Sequence, residues 1–298
     1  MNKTITKLGL FFISVIFLQS CAFDLQTGII KKEGVTSMNE EKGKQILNAV
    51  WKQQGYDKLD QSTVYSFEAR DKWKGMLGKI GQIWPEMTMD LEAKYLTGTF
   101  DGQIKYLNGR EKGNVIGLQD WNYYEISNGK TTFLDKDHRK NRRKVFGIAA
   151  FQYFTEMVSR LRTAPIISYA GEKDFRGQSY HLVFCTWEST KAHKEHDQYL
   201  VWINKKTNTM DIVQYTLRDN YLKMPGAQMM GGAIEFSNLK SVDGVMIPFT
   251  QYMYAIKPRK KTKRYLHKLE LSSFSFDAFD KNELIADESK ETGGNYKK

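Results

Sequence analysis

Two alternating runs around a polar turn constrain this chain more than anything else in it. Tyr199-Leu-Val-Trp-Ile203 and Met210-Asp-Ile-Val-Gln-Tyr-Thr-Leu217 flank Asn204-Lys-Lys-Thr-Asn208. β-rich runs of period two around a short turn with Asn at both ends form a hairpin. Ala233-Ile-Glu-Phe236, a turn at Ser241-Val-Asp-Gly244 and Met246-Ile-Pro-Phe249 continue the pattern. The Asp243-Gly244 pair supplies the positive φ of a tight hairpin turn. Pro248 has no amide donor and is expected on an edge strand or at a strand start. Residues 199–249 therefore read as a meandering antiparallel sheet.

Period two recurs upstream. Val64 to Arg70 puts Tyr65, Phe67 and Ala69 on one face and Ser66, Glu68 and Arg70 on the other. Further strands are expected at Leu91–Thr97, Thr99–Leu107, Gly113–Leu118 and Trp121–Ser127, the last closed by a hairpin turn at Asn128-Gly129. Later strands are expected near Ile166–Tyr169, Ser179–Trp187 and Tyr265–Phe276, while the stretch from Gly75 to Met89 is ambiguous. Two segments switch to helical spacing. Ile46, Leu47, Val50 and Trp51 share a face in a helix begun by Asn39, Glu40 and Glu41, with Gly55 as its stop. A second helix runs from Phe146 to Arg162, with Phe151, Phe154, Val158 and Leu161 on one face, Met157 beside them, and Pro165 beyond its end.

The N-terminus sets the compartment. Lys3 and Lys7 precede an apolar run from Leu8 to Leu18 that is too short to span a bilayer. Leu18-Gln-Ser-Cys21 follows and resembles a bacterial lipobox. Cleavage before Cys21 would leave a diacylglyceryl thiol and an acylated amine, a permanent anchor at roughly 0.8 kcal/mol per buried CH₂. Ala22 in place of Asp favours the outer membrane under the enterobacterial sorting pattern. Acylation of Cys21 leaves Cys185 alone, so no intrachain disulfide is expected, and the Tyr180–Trp187 context reads as a small buried thiol. The net charge of +11 comes largely from Lys and clusters at 138–144 and 257–264. Such clusters suit loop tips or an anionic membrane surface rather than nucleic acid.

The order of helix, strands, helix and long meander behind a lipobox resembles the LolA/LolB-like lipoprotein-carrier superfamily. Trp202-Ile-Asn-Lys-Lys-Thr-Asn208 and Phe236-Ser-Asn-Leu-Lys-Ser-Val-Asp-Gly-Val-Met-Ile-Pro248 look like that group's strand-turn phrases, and the likeness covers roughly residues 40 to 280. The resemblance implies an incomplete β-barrel closed by helices, with an apolar cavity that binds acyl chains or another hydrophobic ligand and performs no catalysis. The basic stretches at 138–144 and 257–264 are larger than expected of the soluble carrier. The lipobox makes the chain more like the anchored acceptor partner, or a lipoprotein of the family with another job.

Candidate sites follow. Phe151, Phe154, Met157, Val158 and Leu161 could line a ligand cavity or be plain core. Met224, Met229 and Met230 lie in a Gly- and Pro-broken loop. Soft, adaptable Met side chains there suit a cavity mouth, a partner contact or partial burial equally. His193 and His196 stand three apart in a polar stretch with no third ligand in view, so a solvated loop is the plainer reading than a metal site. His138, His181 and His267 are scattered. No nucleophile elbow, phosphate-binding loop or cysteine pair occurs.

The expected fold is α+β, a strongly curved antiparallel sheet wrapped over two helices. The expected organisation is a signal peptide at 1–20, a lipidated tether at 21–38, one domain at 39–286 and a frayed polar tail at 287–298. The expected function is an envelope lipoprotein that binds a hydrophobic ligand (an acyl chain, lipid or lipoprotein) in a sheet-helix cavity, without a cofactor and anchored to the membrane through Cys21. A protein-docking module, with another envelope protein as partner, is the alternative. An enzyme is the third reading.

Overall fold

In the computed structural model of the chain, residues 22–193, 195–218, 229–260 and 264–294 are described. Cys21 and Met224 lie outside them. The first six strands are β1 Val64–Trp73, β2 Thr88–Leu96, β3 Gly102–Tyr106, β4 Val115–Gln119, β5 Asn122–Ser127 and β6 Lys130–Phe133. The next seven are β7 Ile166–Phe175, β8 Gln178–Thr186, β9 Gln198–Asn204, β10 Met210–Thr216, β11 Gly231–Val242, β12 Val245–Ala255 and β13 His267–Phe276. They form one antiparallel sheet in the order β6-β5-β4-β3-β2-β1-β13-β12-β11-β10-β9-β8-β7. The two halves of the chain thus grow outward from the β1–β13 pair, and β6 and β7 remain unpaired edges: the sheet is open. Register shifts at Glu68/Ala69, Tyr169/Gly171 and Met210/Ile212 are bulges that bend it.

Alternation decides which side chains face inward. Along β1, Tyr65, Phe67, Ala69, Asp71 and Trp73 are buried, while Glu68, Arg70 and Lys72 are exposed. Asn128 and Gly129 both take positive φ, as do Asp243 and Gly244, so both expected tight turns form. Pro248 is a different case. It lies within β12, an interior strand, opposite Leu239 of β11. On the other side β13 pairs only with Thr250 to Met253, so the missing amide falls where β12 has a single neighbour.

The helices are α1 Gly28–Glu33, α2 Ser37–Gln53, α3 Tyr56–Leu59, α4 Gly75–Gly81, α5 Arg142–Thr155 and α6 Met157–Arg162. Thr36, rather than Asn39, caps α2, its hydroxyl accepting from the Asn39 amide. Gly43 lets α2 lie against β7, where a Cβ would stand 2.8 Å from the Tyr169 nitrogen. The expected helix at 146–162 is two helices, broken at Glu156. Together α5 and α6 carry the chain from edge strand β6 back to edge strand β7 across the inner face.

Two hydrophobic clusters result. The larger lies between the inner sheet face and α2, α5 and α6. The smaller is on the opposite face of β7 to β10, where Leu182, Phe184, Leu200 and Trp202 pack with Leu25 and Ile30. This explains why all seven residues of β9 are buried. The 22–38 stretch, expected as a tether, is therefore packed on the sheet through Leu25 and Ile30. The C-terminal run is also held rather than frayed as far as 294. Gln119 bonds the backbone of Ala286, Asp287 and Lys290, and the Phe100 amide donates to the Gly294 carbonyl. Among the described residues the thirteen strands pair with one another, and both clusters draw their buried members from residues 25–274.

Candidate ligand-binding cavity

At one end of the inner face the core is incompletely filled. Helix α4, formed in the stretch left ambiguous by sequence, abuts Trp73 and Leu266 at the ends of β1 and β13 through Gly78 and lines a common space with the ends of β10, β11 and β12. A cavity of about 260 Å³ remains between them and α5. Its walls are Phe146, Phe151 and Phe154 from α5, Leu77 and Ile80 from α4, and Met253 from β12. Glycines shape it. A Cβ at Gly147 would stand 2.6 Å from the Trp84 ring, so α5 approaches Trp84 closely. Gly231 and Gly232 open β11 without side chains and leave room for the Phe23 and Tyr215 rings.

Of the residues singled out by sequence, Phe151, Phe154 and Met230 border this cavity. Met157, Val158 and Leu161 do not. They are buried in the larger cluster, because the break at Glu156 turns α6 away from the cavity. Met229 is exposed. The cavity is not sealed: Leu77 and Ile80, although part of its wall, are 60% and 42% exposed, and Met76, beside Leu77 in sequence, and Ile256, beside the lining residue Ala255, are exposed apolar side chains.

A buried polar couple backs the largely apolar wall, which also carries Tyr215 and Tyr254. Asp71, on the inward face of β1, is fully buried, and its carboxylate accepts from the indoles of Trp84 and, at 3.3 Å, Trp73. Its other oxygen meets Nε2 of His267, which is 5% exposed and stacked on Trp73 at 4.1 Å between ring centres. His267 borders the cavity. Spacing along the chain could not have found this couple, but alternation could. Extending the β1 pattern by two residues puts Asp71 on the apolar face, and the same pattern in β13 puts His267 in line with Leu269.

A second, polar cavity of about 550 Å³ lies at Phe100, Tyr153, Glu156, Arg160 and Tyr199. Glu156, where the helices break, is buried and pairs with Arg160 at 2.7 Å. It also accepts from Tyr65, Gln152 and the Gly98 amide at 3.1, 3.1 and 3.3 Å. Burial raises its carboxyl above the usual range despite those partners. His196 borders the same cavity, and Glu188 brings a third ligand-type group to His193 and His196, all within 4.8 Å. His193 Nδ1, however, accepts from the Glu195 amide at 3.0 Å. In a neutral ring that leaves the proton on Nε2, and Glu188 takes His196 at 3.0 Å. Cys185 is buried, and burial pushes its thiol well up, consistent with packing rather than reactivity. Among the described residues no helix is long and apolar enough to cross a membrane.

No family model matches the chain, and no curated protein does. Solved structures do. A candidate outer membrane lipoprotein-sorting protein domain from Vibrio parahaemolyticus superposes with a TM-score of 0.51 at 12% identity, over 83% of this chain and 97% of that one. A LolA superfamily protein from Nitrosomonas europaea gives 0.50 at 10% identity, over 83% and 99%. The chain has a LolA-like fold. A DUF1329 family protein from Desulfovibrio piger shares it, with a TM-score of 0.50 at 12% identity over 82% and 95%. At such identities the likeness concerns the LolA-like backbone alone, and the side chains of the cavity are this chain's own.

Proposed function

We propose that this protein is an envelope lipoprotein, anchored through acylated Cys21 and exposed on the periplasmic side or the surface of the outer membrane, that binds a hydrophobic ligand in the cavity under α4. The ligand is an acyl chain, free or carried by a lipid or lipoprotein. The observation that carries this reading is an unfilled apolar cavity with exposed Leu77 and Ile80 at its wall, inside a LolA-like fold. A concave, mostly apolar space with few polar groups is what a small amphiphile needs. The basic stretch supports the same orientation. It leaves the cavity wall at Ala255 and returns to it at Leu266, with Lys257, Arg259, Lys260 and Arg264 exposed, so cations stand beside the mouth where anionic headgroups would lie.

Native mass spectrometry with lipid extraction on residues 22–298 tests the binding. Co-purifying lipid or acylated peptide at a fixed stoichiometry is expected. An apo mass that does not change on adding fatty acid or lipopeptide would overturn the carrier reading and leave protein docking. The anchor is tested separately in cells fed an alkyne-labelled fatty acid. Label is expected on the wild-type chain and absent from Cys21→Ser.

A further inference from the structure

Beside Tyr215 and Tyr254, the cavity wall carries one imidazole, that of His267. His267 is nearly buried, its Nε2 is committed to Asp71, and Nδ1 meets no partner among the described residues. Asp71 is engaged on both oxygens. Indoles only donate, so the contacts with Trp73 and Trp84 fix one oxygen as an acceptor, and His267 occupies the other. Trp73 lies flat on the imidazole with 6° between the planes. The ring is thus held from two sides, and Nδ1 is its one uncommitted polar atom. Size sets a second limit. An engineered apolar cavity of about 150 Å³ takes a benzene, so this volume accommodates on the order of ten carbon atoms. That is one chain, or part of one, and not the three of a triacylated lipoprotein.

We infer that the cavity takes a single-chain fatty acid with its carboxyl group against His267, and that Asp71, Trp73 and Trp84 position the ring for it. This rests on the cavity being the ligand site. The carboxyl group suits Nδ1 in either protonation arrangement: as an acid it donates O–H to a neutral ring, and as a carboxylate it accepts N–H from a charged one. A methyl ester can only accept, and an alkane does neither.

Calorimetric titration of residues 22–298 with decanoic acid, methyl decanoate and a triacyl lipopeptide tests this. Decanoic acid is expected to bind at one site and at least about tenfold more tightly than its ester, the fold-change of one net hydrogen bond. In His267→Phe, which keeps a ring against Trp73, that preference is expected to vanish. Equal affinity for acid and ester, or an undiminished preference in the variant, overturns the anchor and leaves the cavity standing. Binding of the lipopeptide alone overturns the single-chain ligand. Failure of all three probes overturns the cavity reading itself. Should the variant not fold, the ring ¹⁵N resonances of wild-type His267 decide: Nδ1 is expected to shift on saturation with decanoic acid, and an unmoved Nδ1 in the saturated protein overturns the proposal. In Asp71→Asn the ligand-free ring resonances are expected to change before any ligand is added, the signature of a positioning residue.

Discussion

Glu156 sits where two helices meet because its carboxylate is needed there. Gln152 Nε2, the Tyr65 hydroxyl and the Gly98 amide all donate to it, and Arg160 pairs with it from the next turn. Burial dominates nonetheless and lifts its carboxyl above the ordinary 4.5, with Arg160 opposing. The folded protein therefore holds this proton more tightly than the unfolded chain does. Its contribution to stability is greatest below the unfolded value and declines as pH rises from about 4.5 through the folded value. In Glu156→Gln that component of the slope is expected to disappear. Urea midpoints of the two proteins taken across this range check it, and parallel curves would show that Glu156 does not titrate differently on folding.

Among the elements, the N-terminal segment with α1 has the least obvious role. Its own helical pattern is only six residues long, too short to be stable alone. It is held by Ile30 and Leu25, which fill the outer cluster beside Trp202, and by Leu25 N donating to Gln198 Oε1 at 2.8 Å. An element that packs in this way behaves as part of the domain. Ile30→Ala is expected to destabilise the fold by about 2–5 kcal/mol, as for other buried Ile positions. A free tether would show no change in chemical denaturation. The contrast with α4 is instructive. That helix leaves Leu77 and Ile80 largely exposed, and little besides its seat over the cavity explains their apolar character.

For the whole molecule, the open sheet is the governing fact. Two meanders joined at β1–β13 leave β6 and β7 as edges, and α5 with α6 spans the face between them. The C-terminal segment fastens the β3–β4 side. Gln119 is fully buried and hydrogen-bonds this segment through both its amide atoms, and Asp101 accepts from the Gly293 amide at 2.5 Å. Deleting residues 287–298 strips most of these partners. A loss of about 1–3 kcal/mol, the cost of unsatisfied polar groups, is expected. Denaturation of the truncated chain measures it, and an unchanged midpoint would mean that water replaces the tail without penalty.

The sequence by itself determined most of the local grammar: the strand runs other than β6, the inward face of β1, where Asn128-Gly129 and Asp243-Gly244 turn, and that one broad sheet carries helical covers. These are properties of residues a few positions apart, and period and turn chemistry record them directly. It also singled out Phe151, Phe154 and Met230, which border the cavity. It could not separate them from Met157, Val158 and Leu161, because helical periodicity names a face and says nothing of how far along that face the core stays filled. Only the tertiary structure decided where the space is left. It did so by breaking the helix at Glu156, setting α4 against the strand ends and bringing Asp71 to His267, 196 residues away. A cavity is what distant elements fail to fill, and no short stretch of chain encodes that failure.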